Sequence, residues 1–127
     1  DNTPHPVVIY MPEISKTHLG GTMRLGSRRT IINDEKSIAF KLYNNNKNIH
    51  ERHRHRYEVN PDLIESIQEA GMKFVGKDDT GQRMEIIEIS DHPFFFATQY
   101  HPEFKTRPTK PSPPFYGLLM AASKQVY

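Results

Sequence analysis

Pro93-Phe94-Phe95-Phe96-Ala97-Thr98, running directly into Gln99-Tyr100-His101-Pro102-Glu103-Phe104, is the stretch on which the reading of this chain turns. Its first part reads as a buried strand, Phe94–Tyr100, and the second delivers an imidazole and a carboxylate at the strand's end. In open α/β sheets, ligands bind beyond the carboxyl ends of strands, so this location suits chemistry. A histidine working as a general base needs a partner on its far nitrogen, which fixes the tautomer and stabilises the imidazolium. Glu103, past a proline that stiffens the link, can supply that partner. The competing reading is a strand-end turn whose His101 and Glu103 are merely solvated, and so short a motif does not separate the two. A nucleophile is missing, because the sequence contains no cysteine.

Outward from that stretch, the pattern is of strands and short helices. Lys73–Gly76 and Arg83–Ile89 read as a hairpin joined by the turn-rich Lys77-Asp78-Asp79-Thr80-Gly81. Before it, Asn60 suits a helix N-cap, Pro61 the first helical position and Gly71 the left-handed C-terminal position. Leu63, Ile64, Ile67 and Ala70 form the apolar stripe expected to be buried between those caps. Val7–Tyr10 reads as a short strand. Thr22–Leu25 and Arg29–Ile32 read as two more, with Gly26 and Ser27 between them as a turn or bulge. Asp34 is placed to cap a helix with Ile38, Leu42 and Tyr43 on one face. Pro108–Pro114 is a stiff connection to a closing helix over 115–126, whose expected apolar face is Leu118, Leu119 and Ala122.

Composition narrows the possibilities. A chain of 127 residues with 25% charged and 10% aromatic content is globular material of single-domain size. A net charge of +2 gives no reason to expect a nucleic-acid partner. No apolar run approaches the ~20 residues that span a bilayer, and no signal-peptide pattern opens the chain, so neither membrane nor export is expected. The cysteine-free sequence excludes a disulfide framework and thiolate metal sites. A start at Asp1 leads us to expect natural sequence upstream.

Glu51-Arg52-His53-Arg54-His55-Arg56-Tyr57-Glu58 is the densest cationic run. Extended, it puts Arg52, Arg54 and Arg56 on one face and His53 and His55 on the other. It can capture a carboxylate through a guanidinium fork, bind zinc through His50, His53 and His55, or contact phosphates; it can also be a solvated basic edge strand. Zinc is the poorest of these, since the flanking arginines repel a dication, and no metal site is expected. Gly20–Gly26 lacks the Walker spacing and reads better as close backbone packing than as an anion cradle.

Taken together, Gly20–Gly26, Glu51–Asn60, Arg83–Ile89, Gln99–Phe104 and Arg107-Pro108 with Lys110–Pro114 resemble the CTP synthase family over about His5 to Ala122. The resemblance is to the second half of the class I (triad) glutamine amidotransferase domain of that family, so residues 1–127 are expected to be a half-domain. It implies an α/β fold: an open, mainly parallel sheet with flanking helices plus antiparallel hairpin elements. It implies glutamine hydrolysis through a cysteine thioester, the ammonia passing to a synthetase domain that aminates UTP to CTP with ATP. By resemblance, His101 is the general base and acid, Glu103 its orienting carboxylate and Arg56 the holder of the glutamine α-carboxylate. The nucleophile elbow is expected in the upstream half of the domain. ATP and Mg are expected in the synthetase domain, with GTP as activator, in a cytoplasmic homotetramer. Two alternatives stay open: a non-catalytic amidotransferase-like module, and the amidotransferase part of a different glutamine-dependent synthetase.

Overall fold

The computed structural model describes residues 3–11 and 23–124. Among these residues are seven strands, β1 (Val8–Tyr10), β2 (Arg24–Ile32), β3 (Asn48–His55), β4 (Tyr57–Val59), β5 (Met72–Lys77), β6 (Met84–Ile89) and β7 (Phe96–Thr98), and three α-helices. The helices are α1 (Ile38–Leu42), α2 (Ile64–Glu69) and α3 (Pro113–Ala122). Strands β3-β2-β5-β6-β7 form one sheet in that order, and β1 pairs with β4 in a second, smaller one.

The expected antiparallel hairpin elements are present in β5–β6 and β6–β7, and every strand pairing among the described residues is antiparallel. The parallel pairing expected of the sheet is therefore not found among the described residues. A parallel neighbour needs a crossover of a dozen or more residues. The stretches 33–47 and 60–71 have that length, but the first joins the antiparallel neighbours β2 and β3 and the second carries the chain from the small sheet to the large one. A tight turn joins β5 to β6: the buried Asp78 carboxylate accepts from Thr80 Oγ1 (2.8 Å) and from the N–H groups of Gln82 (3.2 Å) and Arg83 (3.1 Å). Side-chain closure of this kind is what Asp does in turns.

The core lies between the sheet and α1, with Ile32, Ala39, Ile49, Val75, Ile86 and Tyr100 forming the buried cluster. Helix α1 is fastened to that sheet electrostatically. The Glu88 carboxylate on β6 accepts from the backbone N–H of Ile38 (3.0 Å) and Ala39 (2.6 Å), two donors that the helix itself leaves unsatisfied. Ser37, not Asp34, is the N-cap, accepting from Phe40 N at 3.0 Å. Asp34 shapes the preceding turn instead, its carboxylate accepting from Lys36 N and its carbonyl from Ser37.

Four other elements differ from expectation. The two strands foreseen on either side of Gly26 are one continuous strand, β2, because Gly26 takes φ +85° and keeps its pairing with His53; Gly20 to Thr22 lie outside the described residues. The capped segment 60–71 starts and ends where its caps predict, with Asn60 accepting from Asp62 N and Gly71 at φ +103°. Its first turn is nevertheless a 3-10 turn, and its apolar stripe is only half-buried, with Ala70 exposed. Strand β7 is shorter than Phe94–Tyr100. Most markedly, α3 turns its expected face outward: Leu118 is 54% and Leu119 66% exposed. The face packed inward is Pro114 and Gly117, because the helix approaches α1 so closely that a Cβ on Gly117 would lie 2.7 Å from a Leu42 methyl.

Candidate active site

Strand β3 is an edge of the large sheet, and its burial alternates strictly through Ile49, Glu51 and His53 (inward) and His50, Arg52 and Arg54 (outward). The extended reading of the basic run therefore holds, and the solvated edge describes Arg52 and Arg54. It fails at Arg56, which sits at a bend between β3 and β4 and is partly buried. Arg56 thus leaves the parity of Arg52 and Arg54. Its backbone carbonyl accepts from Met11 N (3.0 Å), and its Nε is buried without a hydrogen-bond partner among the described residues. His50 lies on the face opposite His53 and His55, so the three imidazoles do not converge. No group of three or more His, Asp or Glu side chains among the described residues is arranged to hold a metal ion.

Beyond β7 the chain passes through buried Tyr100 to His101 and into a short 3-10 turn, Pro102–Phe104. His101 Nδ1 lies 2.8 Å from Glu103 Oε1. The turn makes this possible, since the proline starts it and brings the carboxylate back over the ring. Both side chains keep solvent access, at 40% for His101 and 52% for Glu103. Glu103 is held below the usual carboxylate range by its own backbone N–H and then by the His101 ring. With Nδ1–H given to the carboxylate, Nε2 carries the lone pair and faces away from Glu103.

The site is anchored to β3. The His101 N–H donates to the Arg52 carbonyl (2.8 Å), the Arg52 guanidinium lies over the Phe104 ring (5.2 Å), and Lys105 Nζ donates to the His50 carbonyl (2.5 Å). Gln99 Nε2 donates to the Tyr57 carbonyl (3.0 Å), tying the approach to His101 to the residue after Arg56. The His–Glu turn is thus tied to β3 and the approach to it to β4, the two strands that flank the Arg56 bend.

Beneath the site is a buried polar layer that the sequence reading did not foresee. Arg24 Nη2 donates to Glu85 Oε1 (2.6 Å) and Thr30 Oγ1 to Glu85 Oε2 (2.5 Å). His53 is buried next to them, its Nε2 3.9 Å from Glu85, too far for a hydrogen bond, and both its ring nitrogens lack partners among the described residues. Burial and then the Arg24 charge lower its pKa to about 3. The same causes bring His55 to about 4. Burial raises Glu85, with Thr30 and Arg24 opposing it. The available signal was strand parity: inward positions of β3 had to be buried, whatever their chemistry.

A family model, glutamine amidotransferase class-I, matches residues 6–121. The chain belongs to that family. It is 58% identical over 120 residues to CTP synthase 1-A of Xenopus laevis, covering 94% of this chain and 20% of that protein. Identity to CTP synthase 1 of Homo sapiens is 56%, again over 94% of this chain and 20% of that protein. The solved glutaminase domain of Trypanosoma brucei CTPS, with bound acivicin, superposes with TM-score 0.89 at 36% identity, over 97% of this chain and 48% of that one. The class I amidotransferase fold and the likeness to CTP synthases agree with the resemblance read from the motifs. The chain spans about a fifth of the length of these curated relatives. None of its described helices is long and apolar enough to cross a membrane.

Proposed function

We propose that this chain is the His–Glu part of a Cys-His-Glu glutaminase site in a CTP synthase, supplying ammonia for ATP-dependent amination of UTP. The observation that carries the reading is the 2.8 Å contact of His101 Nδ1 with Glu103 on a turn fastened to the sheet edge. In this reading Nε2 takes the thiol proton of a cysteine contributed by another part of the domain. The thiolate sulfur attacks the side-chain amide carbon of glutamine, and the proton returns to the departing nitrogen as ammonia leaves. Water then attacks the thioester carbon, giving a proton to Nε2, which passes it to the departing cysteine sulfur as glutamate is released. Glu103 keeps the ring in the tautomer that both steps need.

Arg56 holds the glutamine α-carboxylate. The buried, unpartnered Nε supports this, since a guanidinium presents a planar fork to a carboxylate and a buried donor without a partner is costly. ATP and Mg belong to the synthetase portion, with GTP as activator and a cytoplasmic homotetramer as the assembly.

The test uses the full-length polypeptide. His101→Ala is expected to abolish CTP formation from glutamine while sparing formation from free ammonia; equal loss of both overturns the assignment. Arg56→Ala is expected to raise the KM for glutamine, and an unchanged KM removes its role.

A further inference from the structure

His101 and Glu103 are about half exposed, so packing alone does little to orient them. What orients the turn is underneath it. Glu51 projects inward from β3 and is 1% exposed. Its Oε1 accepts from the Tyr43 hydroxyl at 3.0 Å, and that hydroxyl also lies 3.0 Å from the hydroxyl of Tyr100. Lys105 Nζ stands 3.8 Å from the same Glu51 oxygen. Tyr100 directly precedes His101, and Lys105 follows Glu103 by two positions. Both ends of the reactive turn therefore lead back to a single carboxylate. Between those ends, the His101 N–H donates to Arg52, the neighbour of Glu51 on the strand.

We infer that Glu51 is a positioning residue for the glutaminase reaction, holding the turn of His101 and Glu103 in register with β3 through Tyr43, Tyr100 and Lys105. The inference rests on the function proposed above. Stability alone does not explain the arrangement. Glu51 Oε2 is buried without a partner among the described residues, and a buried carboxylate so incompletely satisfied is expensive. Apolar side chains filling the same volume commonly cost less, whereas a connected polar network selects one geometry. Tyr43 and Tyr100 suit that work, being rigid rings whose hydroxyls meet at 3.0 Å.

The experiment compares Glu51→Ala, Glu51→Gln and Tyr43→Phe in the full-length polypeptide, with His101→Ala as the control. Glu51→Ala is expected to lower kcat with glutamine about tenfold or more, the scale of a misplaced catalytic group, with the glutamine KM and ammonia-dependent synthesis unchanged. Glu51→Gln, whose amide oxygen still accepts from Tyr43, should restore most of that rate. Tyr43→Phe keeps the ring but cuts the link between Glu51 and Tyr100, and should lower kcat even if Glu51→Ala does not fold. A kcat within about twofold of the parent in Tyr43→Phe overturns the inference. So does a parallel fall of glutamine- and ammonia-dependent rates in the folded variants. A His101→Ala enzyme that still uses glutamine removes the underlying function instead, whatever Glu51 does.

Discussion

Burying His53 neutral makes the region around β3 acid-sensitive by a calculable amount. The ring has a folded pKa of about 3, against the ordinary 6.5 of an exposed imidazole. A depressed folded pKa means that the unfolded chain binds the proton first. Stability is thus fully present above pH 6.5 and is lost as pH falls toward 3. Linkage between pH 7 and pH 5 gives a loss of about 2 kcal/mol from His53 alone. That figure hardly depends on the folded value as long as it lies well below 5. His53→Leu fills a similar volume and has no proton to gain, so the variant should lack this component. The buried carboxylates Glu51, Glu58, Glu85 and Glu88, all raised by burial, act in the opposite sense, so only the difference between parent and variant isolates the histidine. Amide hydrogen exchange at pH 5 and 7 in the full-length protein, corrected for intrinsic rates, reads it from peptides of β2 and β3. The parent should lose about 2 kcal/mol more protection than His53→Leu over that interval. Equal pH dependence in the two proteins would refute the reasoning.

Arg24→Ala strips the ion partner from Glu85 while leaving the carboxylate buried, and should destabilise the domain by about 3–5 kcal/mol; Glu85→Gln in that background should recover part of it, as measured by the same exchange. Gly117→Ala brings a Cβ to 2.7 and 2.8 Å from the Leu42 methyls and 2.9 Å from Phe94. The overpacking cost of about 1–3 kcal/mol then meets a helix-propensity gain of about 1 kcal/mol. We expect a net loss of thermal stability, relieved by Leu42→Ala if the clash is the cause. Glu88→Ala removes the acceptor of two helix N–H groups, and exchange should accelerate in α1 before it does in β5 or β6.

What the sequence revealed, and what it hid, follows from the range of the forces involved. The caps at Asn60 and Gly71 were legible because capping is local, a side chain answering its own helix. The alternation of β3 was legible for the same reason, up to the bend at Arg56 that strand periodicity cannot foresee. The His101–Glu103 contact needed only a proline and a two-residue reach. By contrast, α3 presented leucines on a helical stripe, and the sequence could not reveal that Gly117 would set the docking face by close approach to α1. Ser37 displaced Asp34 as cap because Glu88, fifty positions away, fixes where the helix begins. Of the polar layer of Arg24, Glu51, His53 and Glu85, only the inward parity of Glu51 and His53 was legible, and what meets them there was not. Charged residues at inward positions read as surface until the pairing of distant strands shows what lies across from them.

The small sheet has a practical meaning for anyone dissecting this protein by genetic truncation. Val8, Ile9 and Tyr10 pair with Val59, Glu58 and Tyr57, Met11 N binds the Arg56 carbonyl, and Asn60 N binds the Val7 carbonyl. Residues early in the sequence thus brace the Arg56 bend and the strand that follows it. A gene divided after Tyr10 would separate that brace from the arginine even though every residue of the basic run remained. A two-piece complementation system should therefore be joined ahead of Val7, so that the fragment carrying the His–Glu turn keeps its own clamp on Arg56.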